Sequence, residues 1–186
     1  MDLLRANREA MATELGRLAG KIEMTLKVAW DVVNIFEYFV FTSPELARLR
    51  DRVANKTGGP SLPGRAQQGG LAGGWRDEKI ELGRTFESMR SEVRKRHSAQ
   101  VMRALEACVV EFRERPVRDE KAVMDLACLV ERSGVKAYER AVFEAASLFD
   151  DSYAFDYGGP WPPFSFVRVS LDEPLSVARC QAGADR

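Results

Sequence analysis

Histidine is nearly absent from this sequence: His97 is the only one. A metal site built on several histidines, or a pair of catalytic histidines within one chain, is therefore excluded. Cysteine is scarce as well. Cys108, Cys128 and Cys180 are odd in number and far apart, with no C-x-x-C pair. Neither a zinc knuckle nor a thioredoxin-like redox site is encoded. The three thiols read as idle groups of a reducing compartment. Net charge is missing too, since 28 Lys and Arg offset 28 Asp and Glu. A nucleic-acid binder shows a basic excess or stripe, and the total shows none. No apolar run is long enough to cross a bilayer. Met1 to Arg5 has neither the basic start nor the apolar stretch of a secretion signal. The expected location is the cytoplasm.

What is present suits a globular chain. The 186 residues are 45% hydrophobic and 30% charged, which provides a real core and excludes full disorder. Leu4, Met11, Leu15 and Leu18 recur at helical spacing. From Ile22 to Trp30 apolar residues then alternate with Glu23, Thr25, Lys27 and Ala29. A period of two predicts a strand with one apolar and one mostly polar face. Val32 to Phe41 reads as a short buried helix capped by Asp31. Thr42-Ser43-Pro44-Glu45 starts another, running to about Asn55, with its hydroxyl cap, first-turn proline and early acid. Residues 57–74 hold half of the 14 glycines and read as a mobile insertion. Within it, Gly59 to Ala66 has glycines spaced as in a phosphate loop, but lacks the lysine and hydroxyl that bind phosphate and magnesium.

From Trp75 to about Arg115 the spacing predicts one long helix, or two with a kink, ended by Pro116. Leu82, Phe86, Met89 and Val93 form its stripe, and Val101, Leu105, Cys108 and Phe112 repeat it. Arg94-Lys95-Arg96 reads as a solvated helix face. His97 falls on the stripe and reads as packed rather than as a base. Val123 to Val130 predicts a central strand, Val135 to Phe149 an amphipathic helix, and Tyr153, Phe155 and Tyr157 a third strand ended by Gly158-Gly159-Pro160. The expected fold is α+β: a small sheet of about three or more strands with helices packed on it, ferredoxin-like, plus a long helical segment. It would form a single domain over residues 1–171, followed by a disordered tail at 172–186.

Residues 153–167 carry the most specific signal. A strand runs into Gly159-Pro160-Trp161-Pro162-Pro163-Phe164-Ser165-Phe166-Val167. Three prolines fix φ and remove amide donors, so this is no ordinary central strand. Trp161, Phe164 and Phe166 either staple the chain end across the sheet or form an exposed contact surface for a partner.

This run resembles the C-terminal signature of the gas vesicle accessory proteins of the GvpL/GvpF family, with Phe164 in place of the usual Tyr. Leu15 to Glu23 with Lys27-Val28, Ile80 to Arg84, and Ala127 to Glu131 fit that family in order and spacing. The resemblance covers roughly residues 3–167. Family members usually begin with an additional α+β domain, whereas this sequence starts at the helix before the central strand; the resemblance is to the C-terminal portion of the family. The resemblance implies a non-enzymatic gas vesicle protein with no cofactor and no metal. Its partners would be the vesicle shell protein and other gas vesicle accessory proteins, with no nucleic acid and no membrane. The contact candidates are Gly159, Pro160, Trp161, Pro162, Pro163, Phe164 and Phe166, with the edge of the first strand as a second surface. The alternative is a small ferredoxin-like enzyme or ligand-binding domain unrelated to gas vesicles, with Glu23 and Lys27 as pocket groups.

Overall fold

The structure is a computed structural model that describes residues 5, 7–57 and 74–169. The expected insertion, apart from its end residues, and the expected tail lie outside the described residues.

The alternating segment forms strand β1 (Lys21–Trp30), preceded by helix α1 (Arg8–Leu18). Helices α2 (Ile35–Thr42), α3 (Pro44–Thr57) and α4 (Gly74–Leu105) come next. Then come β2 (Glu111–Glu114), β3 (Ala122–Glu131), helix α5 (Val135–Ala146) and β4 (Tyr153–Trp161). The sheet has the order β2-β3-β1-β4 and every pairing is antiparallel. This is the ferredoxin-like arrangement, with three helices rather than one in the first crossover.

Alternation along β1 decides where the core lies. Ile22, Met24, Leu26, Val28 and Trp30 are all buried, and they join Met124, Leu126 and Cys128 of β3 beneath the helices. Phe39, Leu46, Phe86, Val101, Leu105 and Tyr138 close this core from α2 to α5. The rings of Phe39 and Phe86 meet edge-on at 5.6 Å, and Phe39 meets Trp30 at 5.5 Å. The opposite face of the sheet carries a much smaller apolar cluster of Ala127, Leu129 and Phe166, with Leu18 of α1 against it.

Four local expectations are corrected. Asp31 does not cap α2. Its amide is bound to the Ser152 carbonyl, and Asn34 caps the helix by accepting from the Glu37 amide at 3.2 Å. The long helix ends at Leu105 rather than near Arg115, so Pro116 does not terminate it. Two amides turn back onto the Leu105 carbonyl, and Phe112 then pairs with Cys128 as part of β2. The two stripe members beyond Leu105, Cys108 and Phe112, cannot separate a last helical turn from a short strand. The third expected strand does not stop at Gly158 but runs on to Trp161. Finally, β1 has no free edge, because β3 and β4 flank it; the edges are β2 and β4. The start of α3 is as expected, with Ser43 Oγ accepting from the Leu46 amide at 3.3 Å.

Candidate functional site

The aromatic-proline run sits where an edge strand leaves the sheet. Tyr153, Phe155 and Tyr157 of β4 stand opposite Trp30, Val28 and Leu26, so their rings join the main core. After Gly158, opposite Thr25, the register shifts, and the next pair is Trp161 with Glu23. Gly159 and Pro160 therefore face the single residue Met24. Such a bulge adds one residue to one strand. Because the side-chain period is two, it also moves the residues beyond it to the other face. Without it, Trp161 would point with Tyr157 into the helical core. With it, Trp161 stands on the sparsely covered face, 54% exposed.

Gly159 makes the bulge possible. Its φ is +129°, and a Cβ there would lie 2.6 Å from Met24 Sδ and 3.0 Å from the Glu23 carbonyl oxygen. The peptide bond between it and Pro160 is cis. Pro160 stands at the bulge of an edge strand, a place where a sheet tolerates proline.

Pro162 and Pro163 lead into a 3-10 turn, Phe164–Phe166. The turn divides its two rings. Phe166 is wholly buried against Ala127 and Leu129, while Phe164 is 76% exposed. The Arg113 guanidinium lies 5.8 Å from the Phe166 ring centre. Of the contact candidates, Trp161 and Phe164 thus offer apolar surface, Gly159, Pro160, Pro162 and Pro163 shape it, and Phe166 anchors it. Val167 adds a further exposed apolar side chain.

Polar contacts hold the segment down. Glu23 is only 5% exposed, and its carboxylate accepts from the Ser165 amide at 2.9 Å and from Ser165 Oγ at 2.7 Å. Arg17 of α1 donates to the Phe166 carbonyl, to Glu14 at 2.7 Å and to Glu111 of β2 at 3.1 Å. Arg168 donates its amide to Glu14 at 2.9 Å and its guanidinium to Glu111. The Arg17 hydrogen bond holds the Glu14 carboxyl below its ordinary range. These ties matter for α1, because none of its residues from Arg8 to Leu18 is buried. Sequence reasoning took Glu23 for a pocket group and did not see Arg17 or Ser165. Apart from Glu14, one turn before Arg17, their partners are more than 90 residues away in sequence, so no local pattern marks the contacts that hold the segment.

Glu23 and Lys27 do not form a pocket. Glu23 is closed over by Ser165, Lys27 is exposed, and neither lines the cavity beside His97. That cavity, of about 440 Å³, opens between α2, α4 and the connection from α5 to β4. There Tyr153 Oη lies 3.0 Å from His97 Nε2 and 3.4 Å from Tyr38 Oη. His97 packs against the rings of Phe149 and Tyr153, as its place on the stripe predicts. Burial, aided by Arg96, lowers its pKa from the ordinary 6.5 and favours the neutral ring. The basic cluster beside it is only partly solvated. Arg94 lies over the Trp30 ring at 5.5 Å and donates to the carbonyls of Asp119 and Glu120. Phe41 and Val33, which the sequence did not single out, are also strongly exposed.

Among the described residues, no three His, Cys, Asp or Glu side chains converge as a metal site, and no helix is long and apolar enough to cross a membrane. The family model described as "Gas vesicle synthesis protein GvpL/GvpF" matches residues 1–168. No curated protein matches the chain. Two crystal structures are similar in fold. The gas vesicle protein GvpF from Anabaena sp. PCC7120 aligns with a TM-score of 0.72 and 19% identity, over 91% of this chain and 63% of its own. The gas vesicle protein GvpF from Microcystis aeruginosa gives 0.68 and 17%, over 90% and 63%. The chain therefore spans less than two thirds of the length of either.

Proposed function

The chain belongs to the GvpL/GvpF family of gas vesicle synthesis proteins, and on that premise we propose that it supports gas vesicle assembly by binding the vesicle shell protein, without catalysis. The contact surface is the aromatic-proline segment. The observation that carries this reading is the pair Trp161 and Phe164, which stay 54% and 76% exposed on a segment whose backbone is fixed by prolines and by the hydrogen bonds of Ser165 to Glu23. Large rings held rigid lose little entropy when a partner covers them. Such rings recur at the energetic centre of interfaces. The balanced charge of the chain suits recognition by packing rather than by long-range steering. Other gas vesicle proteins are further partners for the same surface, and the working location is the vesicle or its precursor in the cytoplasm.

Co-expression with the shell protein, followed by flotation and co-purification, tests this reading. The wild-type chain is expected to co-purify with shell protein, and the Trp161→Ala/Phe164→Ala chain to be lost from that fraction while remaining folded. Equal recovery of the two chains would remove the segment from consideration.

A further inference from the structure

Phe164 and Phe166 flank Ser165, and only one of them is buried. The hydrophobic effect cannot choose between them. It is non-directional and scales with area, and the two rings are identical. Whatever puts Phe166 inward and Phe164 outward has to be directional. Glu23 is the only buried acid of the described residues, and both of its oxygens are used on Ser165, one on the amide and one on the hydroxyl. No cation pairs with it among the described ion pairs. A carboxylate held in the middle strands of a sheet, away from water, is costly unless its hydrogen bonds are made. Here they are made by the residue between the two rings. Glu23 also stands opposite Trp161 in the register of β1 and β4. Glu23 therefore holds the residue next to Phe164 by its side chain and pairs with Trp161 by its place in the strand.

We propose that Glu23 is the positioning residue of this surface: its carboxylate clamps Ser165 so that Phe166 enters the slot at Ala127 and Leu129 and Phe164 is presented to the partner. The role depends on acceptor geometry more than on charge. In Glu23→Gln, Oε1 still accepts from the Ser165 amide, and Nε2 donates to Ser165 Oγ, which can accept. In Glu23→Ala the amide loses its partner and the two rings compete for one slot. The inference rests on the shell-protein reading above, and the tests separate the two.

The first test needs no partner. Fluorinated phenylalanine is placed at 164 or at 166 of the full chain, and the fluorine shift between H2O and D2O is read. In the wild type the label at 164 is expected to respond to solvent and the label at 166 not to respond. In Glu23→Ala both labels are expected to respond, and in Glu23→Gln the wild-type pattern is expected to return. Unchanged signals in Glu23→Ala, or no rescue by Gln, would overturn the proposal. Should Glu23→Ala fail to fold, Ser165→Ala, at a half-buried position, removes the hydroxyl half of the clamp and keeps the amide half; its label at 166 is expected to respond to solvent more than in the wild type, and an unchanged signal would overturn the proposal. The second test is affinity for the shell protein. Glu23→Ala is expected to weaken it about tenfold or more, and Glu23→Gln by no more than about threefold. If Trp161→Ala/Phe164→Ala abolishes binding and Glu23→Ala does not, the positioning role falls and the surface stands. If the double variant binds as the wild type does, both fall.

Discussion

Replacing Gly159 by Ala is the sharpest perturbation of the bulge that aims Trp161. Two costs arise. At φ +129° an L residue is strained by about 1–3 kcal/mol. The new methyl also meets atoms on both sides. Met24 Sδ, at 2.6 Å, belongs to a side chain only 2% exposed, and the Glu23 carbonyl oxygen at 3.0 Å belongs to the backbone of a central strand. Neither can withdraw freely, and overpacking of this kind costs about 1–3 kcal/mol. The sum is about 2–6 kcal/mol, a large part of the roughly 5–15 kcal/mol by which a domain is stable. With a urea slope of about 2 kcal/mol per molar, the midpoint measured by circular dichroism should fall by about 1–3 M. Gly158→Ala is the control. Its methyl would meet Thr25 Oγ1 at 3.1 Å, the end of a side chain that can turn. No left-handed φ is involved, and the loss of unfolded-state freedom partly offsets the contact, so the change should stay within about 1 kcal/mol. A Gly159→Ala midpoint within error of the wild type, or equal to that of Gly158→Ala, would refute the bulge argument.

His97, Cys128 and Arg17 each supply a further prediction. His97 has a folded pKa below 6.5, so its contribution to stability is present above that value and is lost as pH falls from there through the folded pKa. Urea stability measured at about pH 7.5 and about pH 5 should drop less in His97→Gln than in the wild type; equal drops would contradict it. Cys128 is buried and its thiol is pushed up to about 12, so iodoacetamide with peptide mapping should find it unmodified in the native chain and modified in urea. Equal labelling in both would contradict the packing of β3. Arg17→Ala removes the tie between α1, β2 and the Phe166 carbonyl. Amide exchange should then speed up in α1 while β1 and β3 keep their protection, and high salt should narrow the difference from the wild type. An α1 that exchanges as in the wild type would show that other contacts hold it.

The range of each interaction decides how much of this was legible in the sequence. The alternation from Ile22 to Trp30, the apolar run from Val123 to Val130 and the hydroxyl cap at Ser43 are local patterns, and each appears where the spacing puts it. Strand β2 escaped because Phe112 extends a helical stripe by one more step, and only its pairing with Cys128 makes it a strand. The bulge escaped because Gly-Gly-Pro ordinarily punctuates a strand, whereas here Met24 and the Glu23 carbonyl leave room for nothing larger than Gly159. The aromatic-proline segment was visible as a cluster of rings and prolines, but the inward turn of Phe166 was not. That choice depends on Glu23 and Ser165, 142 positions apart. The motif could be read from the chain, and the device that orients it only from the fold.

Whether Trp161 and Phe164 form the shell-protein contact is decided by the equilibrium affinity of purified chain for shell protein, with the wild type and two variants compared at matched folding. Trp161→Ala/Phe164→Ala should weaken binding by about two orders of magnitude, as expected for two ring anchors. Phe41→Ala, which removes a ring 92% exposed on helix α2, should change it by less than about twofold. If Phe41→Ala weakens binding as much as the double variant does, or if the double variant binds as the wild type does, the contact lies elsewhere.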